Sequence, residues 1–272
     1  MRGFGRHAPA LIVAAIFLLP LAMMITGSLR PVGLPPPVGL ELLPPVVSLE
    51  SYARLVELVP LWTWLANSAL VVAIAVPVTV LLASWAAFGV RLLGRRTRRL
   101  AVVMLIALLL VPATALWATR FEVYRVLGVL DTLVPLIAPA LAASTPFFVL
   151  IYVWTFTGLP DSQLAAARLE GASTWQLWRR VVMPQARPAT LAVAVLAFGA
   201  FWSNFIDPLL YVRDQPAYTL PLGLRLLQLL NPTEWPLMAA ATVVATLPAV
   251  AVFLLAHRLF LDDPLTALRR SR

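Results

Sequence analysis

Six long stretches without a charged residue divide this chain, and they limit its possible folds more than any other feature. The stretches are 8–29, 58–90, 100–119, 132–160, 188–206 and 235–257. An α-helix needs about 20 apolar residues to cross the ~30 Å hydrocarbon core of a bilayer. The sequence therefore predicts an all-α polytopic membrane protein, a single transmembrane domain over residues 1–272. Its six predicted transmembrane helices are approximately 8–29, 65–90, 100–119, 133–157, 188–206 and 235–257.

The composition agrees with a bilayer as the solvent. Of the 272 residues, 61% are hydrophobic and 12% are charged, whereas soluble domains are roughly half apolar and about a quarter charged. Backbone groups in lipid must pair within their own segment, which helices achieve, and the alternating pattern of a barrel strand is missing. Prolines inside the stretches predict kinks, although proline is also simply common in membrane helices. These prolines are Pro20, Pro77, Pro112, Pro139, Pro146 and Pro248.

The distribution of arginine predicts the orientation. All 21 basic residues are arginine, and with a cytoplasmic N-terminus 15 of them fall on the cytoplasmic side. This asymmetry is what the positive-inside rule describes, so both termini are predicted to be cytoplasmic. The high net charge is thus a topology signal, and nucleic-acid binding is not expected because no arginine cluster is interleaved with aromatic residues on a soluble module. The five arginines within 91–99 predict a cytoplasmic hairpin that touches anionic lipid headgroups.

The cytoplasmic loop 158–189 carries the clearest local signals. Asp161 or Ser162 can cap a first short helix, which Gly171 ends as a C-terminal glycine. Ser173 and Gln176 form the pattern of a capping box that begins a second helix, and Pro184 is predicted to end it. Two uses of this loop remain open from the residues alone. It either docks a partner protein through small side chains, or it joins two spans and rests on the lipid surface.

Two further local patterns predict structured segments. In the second loop helix, Trp175, Trp178 and Val182 fall on one face, which makes the helix amphipathic. Outside the membrane, the proline-rich segment 30–57 predicts an extended chain followed by a short surface helix capped by Ser48.

Residues that could line a solute pathway are few. Three tryptophans and one asparagine lie within or at the ends of the predicted spans, and an aromatic ring with an amide can stack on and hydrogen-bond a sugar. The alternatives are that tryptophan prefers membrane interfaces and that asparagine joins helices. The candidates are Trp117, Trp154, Trp202 and Asn204. His7 and His257 lie at span ends without a second ligand nearby, so no metal site is predicted.

The loop resembles the permease subunits of binding-protein-dependent ABC importers, especially the sugar type similar to the maltose permease G subunit. Their motif runs Glu-Ala-Ala, two variable residues, Asp-Gly-Ala, and later an aliphatic residue and Leu-Pro. Residues 165–172 (AAARLEGA) and 182–184 (VMP) match it, and the segments SLESYARL, WSNFIDPLLYV, YTLPLGL and PLTA also look like the family. The family's opening glutamate is Ala165 here, its aspartate is Glu170, and Leu164 stands where another acid is common.

The resemblance implies a docking helix that binds an ATPase subunit. The implied docking residues are Leu164, Ala165, Ala166, Ala167, Arg168, Leu169, Glu170, Gly171 and Ala172. The chain has no lysine and no phosphate-binding loop, so ATP is expected on a separate ATPase dimer and no cofactor on this chain. A second permease subunit, giving a heterodimer, and a solute-binding protein are the other implied partners.

The resemblance also implies a function. The chain is expected to form half of the transmembrane pathway of an ATP-driven importer in a prokaryotic inner membrane, with a carbohydrate as solute and no enzymatic activity of its own. A membrane enzyme would need paired acids or histidines inside the spans, which the uncharged runs lack. The remaining alternative is an ion-coupled secondary transporter, which would need an intramembrane proton or ion relay.

Overall fold

A computed structural model describes residues 4–34, 44, 46–141 and 145–261. The described residues are helical, with turns and extended connections between the helices. Residues 35–43 and 45 of the predicted proline-rich segment lie outside the described residues, as do the C-terminal arginines 269, 270 and 272 and the PLTA segment. Within these ranges the α-helices are α1 Phe4–Ser28, α2 Glu50–Leu58, α3 Leu61–Leu92, α4 Arg95–Leu109, α5 Trp117–Val126, α6 Val134–Leu141, α7 Pro146–Thr157, α8 Asp161–Leu169, α9 Thr174–Gln176, α10 Met183–Gln185, α11 Arg187–Trp202, α12 Ile206–Tyr211, α13 Leu220–Leu230 and α14 Trp235–Leu261.

Four of the predicted spans correspond to long apolar helical segments. Three are the single helices α1, α3 and α14, and the fourth consists of α6 and α7, between which residues 142–144 lie outside the described residues. Among the described residues there are therefore between four and six candidate membrane spans, depending on how two bent helix pairs are counted. Pro20, Pro77 and Pro248 lie inside helices that continue past them.

The third predicted span is not one straight helix. α4 and the segment Ala113–Val126 meet at an angle of 83°, and a 3₁₀ turn, Ala113–Leu116, begins directly after Pro112. Proline disfavours the helical conformation of the residue before it and offers no N–H, so the helix ends at Leu109. The fifth predicted span is α11, which is joined at 84° to the helical segment that precedes it.

One compact unit of the chain comprises residues 67–217 and 251–272. Its core joins α3, α7, α11 and the loop 158–189, with Phe88, Tyr152, Phe156 and Val193 all buried. Phe88 meets Phe156 edge to face with ring centroids 6.5 Å apart, and the Tyr152 hydroxyl donates to Thr190 Oγ1 over 3.1 Å. The predicted loop is thus part of the folded core.

The other unit comprises residues 1–66 and 218–250. The Arg30 guanidinium lies 5.7 Å from the centre of the Trp235 ring, and Arg54 pairs with Glu234 at 3.7 Å. The short helix predicted near Ser48 is present as α2, but Leu49 occupies its N-cap position. Ser48 lies one residue before the N-cap position, and its Oγ accepts a hydrogen bond from the Glu50 N–H in the first turn of α2 over 3.2 Å.

Gly223 should tolerate no side chain, because a Cβ there would lie 2.1 Å from the fully buried Trp64 ring. Overpacking of this kind costs typically 1–3 kcal/mol. We expect Gly223→Ala to lower the thermal unfolding midpoint of the purified chain. Gly89→Ala is the matched control, since nothing lies within 4 Å of that Cβ. Equal midpoints for the two variants would contradict this packing.

Candidate docking site

Helix α8 ends in a glycine turn that fixes the direction of the following chain. Gly171 has a φ of 83°, in the left-handed region. The Ala172 N–H donates to the Ala167 carbonyl over 3.0 Å and the Gly171 N–H donates to the Arg168 carbonyl over 3.0 Å. This pair of bonds is a Schellman motif, which satisfies the last carbonyls of the helix. The predicted role of Gly171 as the helix stop is confirmed.

The start of α8 is tied to the end of α3 by one arginine. Arg91 donates from Nε to the Phe156 carbonyl over 3.0 Å and from a terminal nitrogen to the Leu159 carbonyl over 3.3 Å. The same nitrogen pairs with the carboxylate of Asp161. The prediction that Asp161 or Ser162 caps α8 is wrong, because Pro160 holds the N-cap position and no side chain caps there. Asp161 is instead the first helical residue and serves as the partner of Arg91.

The Arg91 pair gives a pH-dependent contribution to stability. The hydrogen bond that Arg91 donates to Asp161, together with the positive charge of Arg91, holds the pKa of Asp161 below its usual range. A lowered folded-state pKa stabilises the fold above the unfolded value of about 3.9, and that contribution disappears as the pH falls through the lower folded value. We expect Asp161→Asn to melt slightly below the wild type at pH 7, with the gap closing below about pH 4.

The control for this measurement is Asp214→Asn, at an exposed carboxylate that has no ion pair within the described segments. Thermal unfolding of the three proteins between neutral and acidic pH provides the comparison. A gap that is independent of pH would contradict the assignment of the Arg91 pair.

The second loop helix begins as predicted. The Gln176 N–H donates to Ser173 Oγ over 3.3 Å, and the Ser173 N–H donates to Gln176 Oε1 over 2.8 Å, which completes the capping box. The helix then widens into a π-helical segment, Leu177–Val182, and continues as α10.

The prediction that Pro184 ends the second loop helix is wrong, because α10 includes Pro184 and ends at Gln185. In a regular α-helix, a proline ring clashes with the carbonyl four residues earlier. For Pro184 that residue is Arg180, which lies in the π segment, where the turn is wider. The chain bends only afterwards, at Ala186, the residue before α11 begins at Arg187.

The apolar face of the second loop helix packs against the bundle. Leu177, Trp178 and Val182 are buried, and the Trp85 ring of α3 lies 5.4 Å from that of Trp175 and 5.3 Å from that of Trp178. A helix lying only on lipid would leave this face without protein contacts. The loop is therefore anchored to the rigid part of the molecule.

The docking residues implied by the family motif fall into two groups. Leu164 is buried in the core, and Ala167 and Ala172 pack partly against it. The others are exposed, and the Leu169 side chain is 90% exposed. The exposed group is Ala165, Ala166, Arg168, Leu169, Glu170 and Gly171. Within this group, the side chains of Ala165, Ala166 and Leu169 form an exposed apolar surface, and the charged side chains of Arg168 and Glu170 lie beside it.

The four pathway candidates lie in different surroundings. Asn204 binds locally, since its amide donates to Asp207 Oδ2 over 2.8 Å and its oxygen accepts from the Asp207 N–H over 3.2 Å. Trp202 is buried and stacks on Phe198 with centroids 5.5 Å apart. The Trp117 carbonyl accepts from the Tyr211 hydroxyl over 3.4 Å. Trp154 is 84% exposed and borders a groove between α4 and α7.

Sequence reasoning missed two contributors to this site. In the sequence, Arg91 is only one of the five arginines of the hairpin 91–99. The residues that it binds lie 65–70 positions later in the chain, so the neighbouring sequence does not indicate these hydrogen bonds. Trp85 lies inside a predicted span, and the sequence does not indicate its contacts with Trp175 and Trp178. A basic residue in the last turn of a long helix was the available hint for Arg91.

Comparison with known families decides the classification. Residues 79–262 match the model of the family described as "Binding-protein-dependent transport system inner membrane component". The chain belongs to this family. It is a multi-pass inner-membrane permease subunit of a binding-protein-dependent ABC importer and is not itself an enzyme. This membership decides against the alternative of an ion-coupled secondary transporter.

Individual permeases are similar over nearly the whole chain. The arabinooligosaccharides transport system permease protein AraQ of Halalkalibacterium halodurans is 26% identical, covering 92% of this chain and 90% of that protein. The trehalose/maltose transport system permease protein MalG of Thermococcus litoralis is 29% identical, covering 95% and 93%. A chain from the crystal structure of a bacterial ABC transporter involved in alginate import has the same fold, with a TM-score of 0.76 at 20% identity over 95% of this chain and 97% of that one.

Proposed function

We propose that this permease subunit forms half of a transmembrane pathway for a carbohydrate, and that the exposed face of α8 binds an ATPase subunit. The observation that carries the docking proposal is the exposed surface of Ala165, Ala166 and Leu169 on a helix held at both ends. At its start Arg91 binds the helix, and at its end the Gly171 turn redirects the chain into a packed segment. A force applied to this face would be transmitted to the bundle through those contacts.

The proposed orientation places α8 and both termini in the cytoplasm, in one transmembrane domain over residues 1–272 with six spans. The arginine asymmetry supports this orientation. A second support is the contact between Arg91 and Asp161, which places the arginine-rich hairpin 91–99 and α8 at the same end of the bundle. The cytoplasmic side is where ATP-binding subunits reside.

The proposed solute class comes from the relatives. The names of these two permeases refer to arabinooligosaccharides and to trehalose or maltose. A structure of similar fold is described as a complex with an alginate-bound periplasmic protein. We therefore propose a carbohydrate delivered by a solute-binding protein, a heterodimer with a second permease, and an ATPase dimer that holds the ATP.

Docking without the motif glutamate requires a contact of a different kind. Ala165 offers no charge to the ATPase, and Arg168 and Glu170 lie two residues apart, so they do not face each other on a helix. The proposed contact is therefore dominated by apolar burial around Ala166 and Leu169.

Co-purification of the ATPase subunit tests the docking proposal. We expect Ala166→Trp to reduce recovery of the ATPase at least tenfold, because a large ring prevents close approach of a protein surface. Ala107→Trp is the matched control, at an exposed alanine of α4, and should leave recovery unchanged. Full recovery with Ala166→Trp would contradict docking through this face.

A further inference from the structure

A groove between α4 and α7 has a cationic end and an apolar end. Its volume is about 770 Å³, and its lining includes Arg95, Arg98 and Arg99 together with Val103, Leu150 and Trp154. All of these residues belong to the unit formed by 67–217 and 251–272. The exposed face of α8 does not account for this groove, and of the four pathway candidates only Trp154 borders it.

The three arginines form one positively charged face. Positions 95, 98 and 99 are spaced i, i+3 and i+4, so they are neighbours on the helix surface. They stand in the first turns of the 15-residue helix α4, where unpaired backbone N–H groups add positive potential. Within the described ranges, none of the three has a carboxylate in ion-pair contact. The pKa of Asp161 is lowered mainly by Arg91 and also by the charge of Arg98, but the ion pair of Asp161 is with Arg91.

The apolar end of the groove extends along the same two helices. Val103 is 54% exposed and Trp154 is 84% exposed. Eight residues separate Arg95 from Val103, which corresponds to roughly 12 Å along a helix. That length accommodates a phosphate group at one end and the first carbons of an acyl chain at the other. Tryptophan beside arginine is also the arrangement expected where hydrocarbon meets headgroups.

We propose that this groove binds an anionic phospholipid of the leaflet on the α8 side. Its phosphate is held by Arg95, Arg98 and Arg99, and its chain lies against Val103, Leu150 and Trp154. Charge complementarity selects this occupant, because a neutral apolar segment of another protein would leave three arginines without counter-charge. A free anion would leave the apolar half of the groove uncovered.

Native mass spectrometry of the purified chain titrated with lipid tests the proposal. We expect phosphatidylglycerol to bind at least tenfold more tightly than phosphatidylcholine. Each arginine near an anionic lipid surface contributes about fivefold to affinity. Arg98→Gln should therefore weaken phosphatidylglycerol binding about fivefold, and the triple change Arg95→Gln, Arg98→Gln, Arg99→Gln about a hundredfold.

Arg96→Gln is the matched control. Arg96 lies in the same turn of α4 and carries the same charge, but it does not line the groove. We expect it to bind phosphatidylglycerol like the wild type. An equal loss with Arg96→Gln would show a diffuse electrostatic effect and would overturn the site. If the triple variant does not fold, the comparison of Arg98→Gln with Arg96→Gln decides.

Two further arms separate the other occupants. Millimolar inorganic phosphate should leave bound phosphatidylglycerol in place, whereas its full displacement would indicate a site for free anions. A photo-reactive group at Val103 in the assembled transporter should be cross-linked to lipid. Cross-linking to a protein chain instead would assign the groove to a subunit interface and overturn the proposal.

Discussion

Gly171→Pro should strongly impair solute transport while leaving the membrane bundle folded. Proline fixes φ near −65°, whereas Gly171 has a φ of 83°. It also removes the N–H that binds the Arg168 carbonyl. The chain would leave α8 in another direction, and α8 would lose its fixed position against the second loop helix. We expect a loss of transport of at least an order of magnitude in reconstituted vesicles.

Gly171→Asn is the control for this change. Asparagine adopts the left-handed conformation more readily than other residues with a side chain, so most of the transport activity should remain. Thermal unfolding of both variants shows whether the bundle is intact. Transport by Gly171→Pro at the wild-type rate would show that the direction of the turn does not matter for coupling.

Leu169→Asp should remove ATPase binding with little effect on folding. Leu169 is 90% exposed in this chain, so its replacement costs no internal packing. In the proposed complex the same side chain is buried, and an unpaired carboxylate there costs about 2–5 kcal/mol. That corresponds to a loss of affinity of about thirtyfold or more. The measurement is a binding titration of the ATPase subunit onto the permease in lipid nanodiscs.

Leu169→Met is the control, because it keeps the volume and the apolar character of the side chain. It should bind the ATPase within a few-fold of the wild type. Equal affinities for Leu169→Asp and the wild type would mean that this leucine stays outside the contact.

The sequence predicted those features that depend on composition and local chemistry. Uncharged stretches located the apolar helices because a charged residue near the middle of the bilayer is costly in any membrane helix. The helix stop at Gly171 and the capping box of Ser173 and Gln176 were predictable because each motif involves residues close in sequence. The family motif then predicts which helix would bind the ATPase subunit, and that docking remains a proposal.

Features that depend on distant contacts were not predictable in this way. Asp161 resembles a helix cap in sequence, and only the approach of Arg91 from α3 gives it a different partner. Pro184 resembles a helix end, but the π segment before it allows the helix to continue. The burial of Leu164 follows from packing against other helices and not from its motif position.

The most direct test of the account uses a single cysteine at Ala165, in a chain that has no cysteine of its own. A membrane-impermeant maleimide is applied to sealed vesicles of known orientation, with and without the ATPase subunit. The account predicts that Ala165→Cys reacts only from the cytoplasmic side and is protected when the ATPase is bound. A cysteine at the exposed Thr233 should react from the opposite side in both cases. Labelling of Ala165→Cys from the outside, or equal labelling with and without the ATPase, would contradict the account.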